Sequence, residues 1–454
     1  MYDIIIVGAG PGGYVAAIKA AQLGAKVALI EKENIGGICL NDGCIPTKTF
    51  LKSASVFKTV NRANFFGITT ENITFDWTKI VDRKDKVVKQ LTSGVSFLLK
   101  KNKVDVINGF GEILSSSQVK VDTKIYDTKN VIIATGSSAI MPPIDGVKEA
   151  YEKGFLYTSK ELLHIKAVPK KLVIVGGGVI GVEFATVFKT FGSEVTIIEK
   201  LDSILPMMDE DLINAYTKTL TKDGIKIATE AEVIKVSDHQ VIYKHQGKEL
   251  TLAADAILMS VGVRANSKGL EHLNLKMDRA NIITNEYLET SVKGIYAIGD
   301  VNGKQMFAHV ASHEGIIAVN HILGKPTAKM NYDRVPANIY GTPEIASIGL
   351  TEKEAKSRGF DYKVSKVPIQ AVGKALADGE SEGFIKLIVD KKYLEILGAH
   401  IFAYNATELI SEYAVAMQAE ATAYEIAEAI HPHPTLSELS FEAALGAIDK
   451  PIHI

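Results

Sequence analysis

Both cysteines of this 454-residue chain fall in one stretch, Gly36 to Lys48, which reads GGICLNDGCIPTK. Two thiols this close can form a redox pair, ligate a metal, or pack as small hydrophobes. In a regular helix Cys39 and Cys44 would stand ~7.5 Å apart along the axis and point apart, outside bonding reach. A disulfide between them therefore needs a bent turn, and Asn41, Asp42 and Gly43 tolerate the backbone angles of one. Pro46 suits the first turn of a helix that begins beside it. On the residues alone, a redox disulfide and a pair of buried free thiols both stand. The redox reading is favoured because cytosolic thiol pairs are more often catalytic or metal-binding than structural. Two cysteines supply only half of a tetrahedral zinc site and no nearby histidine completes it, so no metal is expected.

The elements around this stretch carry signatures for two dinucleotides. Asp3 to Val7 (DIIIV) is predicted as a strand, followed by Gly8-Ala9-Gly10-Pro11-Gly12-Gly13 and an alanine-rich helix to about Leu23. A second strand, Lys26 to Ile30, ends at Glu31, 18 positions after Gly13. Gly8, Gly10 and Gly13 serve a tight turn, close approach to a pyrophosphate and helix packing, while Glu31 can accept from a ribose diol. The unit recurs: Lys171 to Val175, then Gly176-Gly177-Gly178-Val179-Ile180-Gly181, a helix to about Phe191, and a strand Glu194 to Ile198 ending at Glu199. A carboxylate there accepts from a diol and repels a 2′-phosphate, so Gly176, Gly178, Gly181 and Glu199 are expected to hold NAD rather than NADP.

Each unit closes on a further strand and turn, Asn130 to Ala134 with Thr135-Gly136, and Ala256 to Val261 with Gly262. Prolines 142, 143 and 169 punctuate a linker. The strand Gly294 to Ile298 ends in Gly299-Asp300, an acid at the carboxyl end of a strand, where α/β folds place ligand contacts. From about Asn331 the pattern changes to alternating strands (Ile345 to Ile348, Phe384 to Val389, Leu394 to Ile401) and a long helix, Asn405 to Glu420. Its tail carries His431-Pro432-His433-Pro434-Thr435-Leu436-Ser437-Glu438, which by composition is an exposed rigid loop. The expected division is 1–143 for the first dinucleotide domain, 144–260 for the second, 261–330 for a return to the first, and 331–454 for an interface domain. A formal charge of −2 gives no electrostatic case for nucleic acid or an anionic membrane. Met1-Tyr2-Asp3 lacks a basic leader and no long apolar run is present, so a cytoplasmic protein is expected.

Together these features resemble the flavoprotein disulfide reductases, the pyridine nucleotide-disulfide oxidoreductases, from Asp3 to about Gly446. The motifs that carry the resemblance are GGICLNDGCIPTK, ATG at Ala134 to Gly136, GGGVIGVE at Gly176 to Glu183, AIGD ending at Asp300, Ala308-His309, TPE at Thr342 to Glu344, and HPTLSE at His433 to Glu438. The resemblance implies two Rossmann-like dinucleotide-binding domains in an α/β fold, with a C-terminal α+β dimerisation domain. It implies FAD held through Gly8, Gly10, Gly13, Glu31, Lys48, Gly111, Thr135, Gly136, Asp300 and Ala308. NAD is held through Gly176, Gly178, Gly181, Glu199, Val233 and Gly262. Lys48 and Glu183 match an ion pair beside the flavin, where a fixed cation favours negative charge on the reduced ring. The same resemblance implies that Cys39 exchanges with a dithiol substrate, that Cys44 lies against the flavin, and that His433 is the base and Glu438 orients it. His433 and Glu438 reach the other subunit's cysteines, so the homodimer is implied for activity.

The implied reaction is oxidation of dihydrolipoyl groups with NAD⁺ as acceptor. The lipoyl group is expected on another protein, the acyltransferase component of a 2-oxo-acid dehydrogenase complex or its glycine cleavage counterpart. The rival readings are a related flavoprotein reductase with another thiol substrate, and a mainly structural subunit of such a complex. Glu199, with no Arg pair beside it, argues against an NADPH-driven reductase. The sequence departs from the family pattern at Ile38, usually Thr, and Thr47, usually Ser. Val263 and Ala265 stand where GRxPN has Arg and Pro, and Asp42 lies between the cysteines where an apolar residue is usual. A carboxylate pointed inward would raise the thiols' pKa, so Asp42 is expected to face solvent.

Overall fold

A computed structural model describes residues 1–454. The first sheet runs in the order Asp105–Asn108, Val27–Glu31, Tyr2–Val7, Lys124–Ile133, with Ile295–Ala297 beside the last. These five strands are parallel, and Val7 pairs with both Ile30 and Ile133. The start of Lys124–Ile133 continues into an antiparallel extension with Gln118–Val121 and Gly111–Ser115. Both faces are covered, which is why Asp3 to Val7 reads as an unbroken apolar run. Ile4 and Ile6 enter a core with Ala16, Ala17 and Ala20 of the helix Pro11–Gln22, while Ile5 and Val7 enter another with Ile113, Val119 and Val121.

The second sheet repeats the plan with Lys226–Ala228, Glu194–Ile198, Lys171–Val175, Ala256–Met259 and Leu156–Tyr157, all parallel. An antiparallel meander, Ala231–Ser237, Gln240–His245 and Lys248–Ala253, lies alongside. The outgoing strand Ser137–Ala139 pairs antiparallel with the returning Val263–Ala265. The C-terminal unit is a five-stranded antiparallel sheet, Ala337–Ile339, Glu344–Gly349, Ile396–Ala403, Phe384–Asp390 and Tyr362–Pro368. Helices Ala406–Gln418, Ala423–Glu428 and Glu438–Ile448 pack on it.

The thiol stretch opens the first of two long helices, Cys44–Asn61 and Trp77–Lys101, which share an apolar cluster. Phe50 and Trp77 share one apolar cluster with Phe184 and Phe188 of the helix Val179–Thr190, with Phe191 that caps it, and with Ile345 and Phe402 of the C-terminal sheet. Burying several aromatics at one junction fixes three units around the thiols. No helix is long and apolar enough to cross a membrane.

Candidate active site

The thiol stretch folds as two helices with a break between them. Gly37–Asn41 forms one short turn and Cys44–Asn61 begins at the second cysteine. Asp42 and Gly43 make the bend that the spacing required, and Cys39 and Cys44 form a disulfide with their Cα atoms 4.6 Å apart. Asn41 Nδ2 donates to the carbonyls of Ile35 and Gly37, at 3.1 and 2.8 Å, and Thr47 Oγ1 donates to that of Gly43 at 2.7 Å. The Gly43 carbonyl also accepts the Thr47 amide at 3.1 Å, so the side-chain bonds reinforce the turns on either side of the break. A Cβ on Gly37 would lie 2.6 Å from the Gly10 Cα, so the disulfide turn rests directly on the first dinucleotide turn. Asp42 does not face solvent as expected. Its side chain is 13% exposed and meets Lys160 at 3.5 Å and His164 at 3.4 Å. Two bases from the segment that opens the second unit draw it there, an attraction that local sequence does not reveal.

The two glycine turns match atom for atom. Gly8 and Gly176 have φ of +106° and +105°, where a side chain is strained, and each would also strike the carbonyl of the strand beside it, at Ala134 or Ser260. A Cβ on Gly13 would collide with the Gly8 oxygen, and one on Gly181 with the Gly176 oxygen. At Gly10 and Gly178 a Cβ meets nothing within 4 Å, so the space in front of each helix N-terminus is open. The first-turn amides there have no helical acceptor and suit a pyrophosphate. Glu31 accepts from the Ala9 amide at 2.8 Å and the Glu33 amide at 2.7 Å; Glu199 accepts from Gly177 at 2.6 Å and Leu201 at 2.8 Å. Both carboxylates are thus pinned at the rim of their turns.

Lys48 and Glu183 join the two units. Lys48 Nζ donates to both Glu183 oxygens at 2.9 and 2.8 Å, and the Tyr340 amide adds a third donor at 3.0 Å. Glu183 is 2% exposed, and Lys48 also lies over the Tyr340 ring at 4.7 Å. Asp300 follows the strand Ile295–Ala297; burial pushes its carboxyl up, against the Ser137 hydroxyl that donates to it at 2.6 Å. Ala308 is the first residue of the helix Ala308–Ile322. Gly111 packs against Val7 and Ile30, and Val233 is buried in the meander. Gly262 sits at φ +109°, its carbonyl accepting from the Ile140 amide at 3.0 Å.

His433 lies in a different place. Its side chain is 77% exposed, and its Nδ1 lies 2.9 Å from Glu438 Oε1. Burial works against the Glu438 charge, but the His433 bond and the Thr435 amide at 2.9 Å outweigh it and hold the carboxyl below its usual range. No hydrogen bond or ion pair within the chain joins this loop to the disulfide turn. The neighbouring His431 is tied to Glu412 at 2.8 Å.

Residues 2–315 match the family model described as pyridine nucleotide-disulphide oxidoreductase, and 335–444 match the dimerisation domain of the same family. The chain belongs to this family. As a pyridine nucleotide-disulphide oxidoreductase it uses FAD and NAD, and its C-terminal unit is a dimerisation domain. It is 70% identical over 332 residues to a dihydrolipoyl dehydrogenase of Acholeplasma laidlawii, covering 73% of this chain and 99% of that one. It is 43% identical to one of Bacillus subtilis, covering 100% and 99%. Among solved structures it resembles the HOCl-induced flavoprotein disulfide reductase RclA from Escherichia coli, at 30% identity and a TM-score of 0.86, covering 98% and 99%. LpdA from Mycobacterium tuberculosis gives 27% and 0.90, covering 98% and 99%.

Two residues of this oxidoreductase escaped the sequence reading. Asn266 clamps the Thr135-Gly136 turn: its Nδ2 donates to the Thr135 carbonyl at 3.0 Å, its own carbonyl accepts from Thr135 Oγ1 at 2.8 Å, and its amide donates to Gly136 at 2.9 Å. Glu314 is fully buried and accepts from Asn302 at 3.0 Å, Tyr332 at 2.6 Å and the Gly299 amide. Burial raises its carboxyl above the usual range despite those donors. A lone acid inside the apolar run HVASHEGIIAVN was the available signal.

Proposed function

We propose that the chain oxidises the dihydrolipoyl group of a partner protein and passes the electrons to NAD⁺. The observation that carries this is the Cys39–Cys44 disulfide closed over a helix break and seated on the Gly10 turn. The two relatives named dihydrolipoyl dehydrogenase, at 70% and 43% identity, support the substrate. Held at the first turn, FAD would supply two-electron redox chemistry, and NAD⁺ held at the second would supply the hydride acceptor.

The residues divide the remaining work. Gly8, Gly10, Gly13, Glu31, Lys48, Gly111, Thr135, Gly136, Asp300 and Ala308 hold FAD. Gly176, Gly178, Gly181, Glu199, Val233 and Gly262 hold NAD. At Glu199 the fixed carboxylate favours a ribose diol over a 2′-phosphate. Lys48, anchored by Glu183, keeps a cation at the junction where negative charge accumulates on reduction. Cys39 exchanges with the substrate dithiol, and Cys44 faces the first dinucleotide site. His433 Nδ1–H donates to Glu438, which leaves Nε2 as the acceptor for a thiol proton. The resulting thiolate is the nucleophile in disulfide exchange.

Because His433 is exposed and unconnected to the disulfide of its own chain, it serves the disulfide of the partner subunit. The active unit is therefore the homodimer, and the lipoyl group arrives on the acyltransferase component of a 2-oxo-acid dehydrogenase complex. We divide the chain at 1–143, 144–260, 261–330 and 331–454 and place it in the cytoplasm. The test is complementation in solution: mixing Cys44→Ser dimers with His433→Gln dimers, after subunit exchange, should restore dihydrolipoamide oxidation in mixed dimers. No recovery in mixed dimers would show that each chain serves itself.

A further inference from the structure

Asp42 lies three residues after Cys39 and two before Cys44, inside the loop that the disulfide closes. Its carboxylate is held from outside that loop. His164 Nε2 stands 3.4 Å from one oxygen and Lys160 Nζ 3.5 Å from the other. On the far side of the same imidazole, Lys84 Nζ lies 3.4 Å from His164 Nδ1. Lys84 is fully buried, 2.6 Å from Asp85 and facing the Phe50 ring. An ammonium donates and cannot accept, so Lys84 donates to Nδ1 and the ring proton sits on Nε2, pointed at Asp42. Three residues thus form one directed chain, from a buried cation to a carboxylate inside the disulfide loop. The other charges around it are Glu33, 3.2 Å from Lys160, and the Lys48–Glu183 pair one turn further along the Cys44 helix.

The chemistry of the disulfide gives this chain a purpose. Reduction by two electrons with uptake of one proton breaks the S–S bond and leaves one thiol and one thiolate. A bare carboxylate in the same turn would disfavour the thiolate. We propose that His164, backed by Lys84, and Lys160 are positioning residues of the redox centre: they hold the Asp42 carboxylate against the second unit and offset its charge, so that the reduced pair keeps a thiolate at neutral pH. The inference rests on reading Cys39–Cys44 as the redox disulfide.

The test uses the flavin-containing dimer reduced with dithiothreitol, which closes to its own disulfide as it gives up two electrons, then desalted without oxygen. Alkylation of Cys39 and Cys44 by iodoacetamide is followed by mass across about pH 5 to 9, bracketing the range of protein thiols. His164→Leu with Lys160→Met should move the alkylation profile up by about half to one pH unit, slowing alkylation by about three- to tenfold at pH values below the wild-type midpoint, where the thiol form predominates. Adding Asp42→Asn to that pair should restore the rate. Asp42→Asn alone, whose charge is already offset, should move it less than about twofold. Rescue by removing one charge distinguishes electrostatics from packing. An unshifted profile in the double variant, or no recovery on adding Asp42→Asn, overturns the inference. If reduced wild-type protein takes no label at either cysteine, the redox reading itself falls.

Discussion

At residues 8–13 and 176–181 the same backbone is used twice, with φ near +106° and +105° at the leading glycine and a glutamate 18 positions after the last, pinned by two amides. What differs is the cargo. Two positions after the last glycine the first helix carries Val15 and the second carries Glu183. That acid, buried in an otherwise apolar helix, binds Lys48 and so ties the second turn to the redox helix. The first turn is tied instead to the short helix ahead of the break, by Gly10 packed against Gly37 and by the Gly36 amide donating to the Ala9 carbonyl at 2.8 Å. Beyond its glutamate the second unit anchors elsewhere: Asp209 and Lys386, both buried, pair at 2.9 Å and bind it to the C-terminal sheet. Duplicated scaffolds thus acquire different roles through a few charged residues placed where the parent pattern is apolar.

The comparison can be broken most forcefully at the disulfide, which only the first unit carries. Cys44→Ser should lower dihydrolipoamide oxidation on the order of 10³-fold or more, the scale of losing a covalent participant, with NADH–dye activity read alongside. His433→Gln should cost ~10²-fold in the same assay, the scale of a lost general base, while dye reduction by NADH stays near wild type. Equal loss of both activities would show that the histidine does not act on the thiol substrate.

The paired glutamates should separate the two turns. Glu199→Ser should lower kcat/KM for NAD⁺ about tenfold and relax rejection of NADP⁺. Glu31→Ser should instead weaken flavin retention, seen as release on dilution, and leave the nicotinamide preference unchanged. The strut between the turns is the next point of attack. Lys48→Met strands Glu183 in the interior and should cost about 1–3 kcal/mol in denaturant, less than a fully buried pair because Lys48 is 30% exposed. Glu183→Gln added to it should recover most of that loss.

The smallest effect concerns pH. The Glu438 carboxyl is held below its unfolded value, so its contribution to the His433 loop is complete above the ordinary carboxylate range. That contribution is lost only as pH falls through the lowered value. The Thr435 amide should therefore stay protected from hydrogen exchange at about pH 5 and open only in more acidic solution.

Periodicity and glycine spacing carried most of the fold into view, because strands buried on both faces and the turns after them are local features. The start of the helix Cys44–Asn61 was legible at Pro46, but its length, the helix Trp77–Lys101 and the meander from Ala231 to Ala253 were not foreseen; their apolar faces meet partners far along the chain. Within the site, the bend between the cysteines was legible from Asp42-Gly43, since only backbone geometry was at stake. The direction of the Asp42 side chain was not, because Lys160 and His164 stand more than a hundred positions away. Asn266 escaped for the same reason, since the Thr135 turn it closes is 131 positions away; Glu314 closes the nearer Gly299 turn, and only the fold shows that its carboxylate is turned inward to it.

The central claim is tested most directly by NADH formation from the flavin-containing dimer supplied with NAD⁺ and dihydrolipoamide, beside NADP⁺ and reduced glutathione as controls. We expect rapid turnover only with the first pair. A protein that passes electrons from NADH to dyes yet leaves dihydrolipoamide untouched would contradict the proposed substrate.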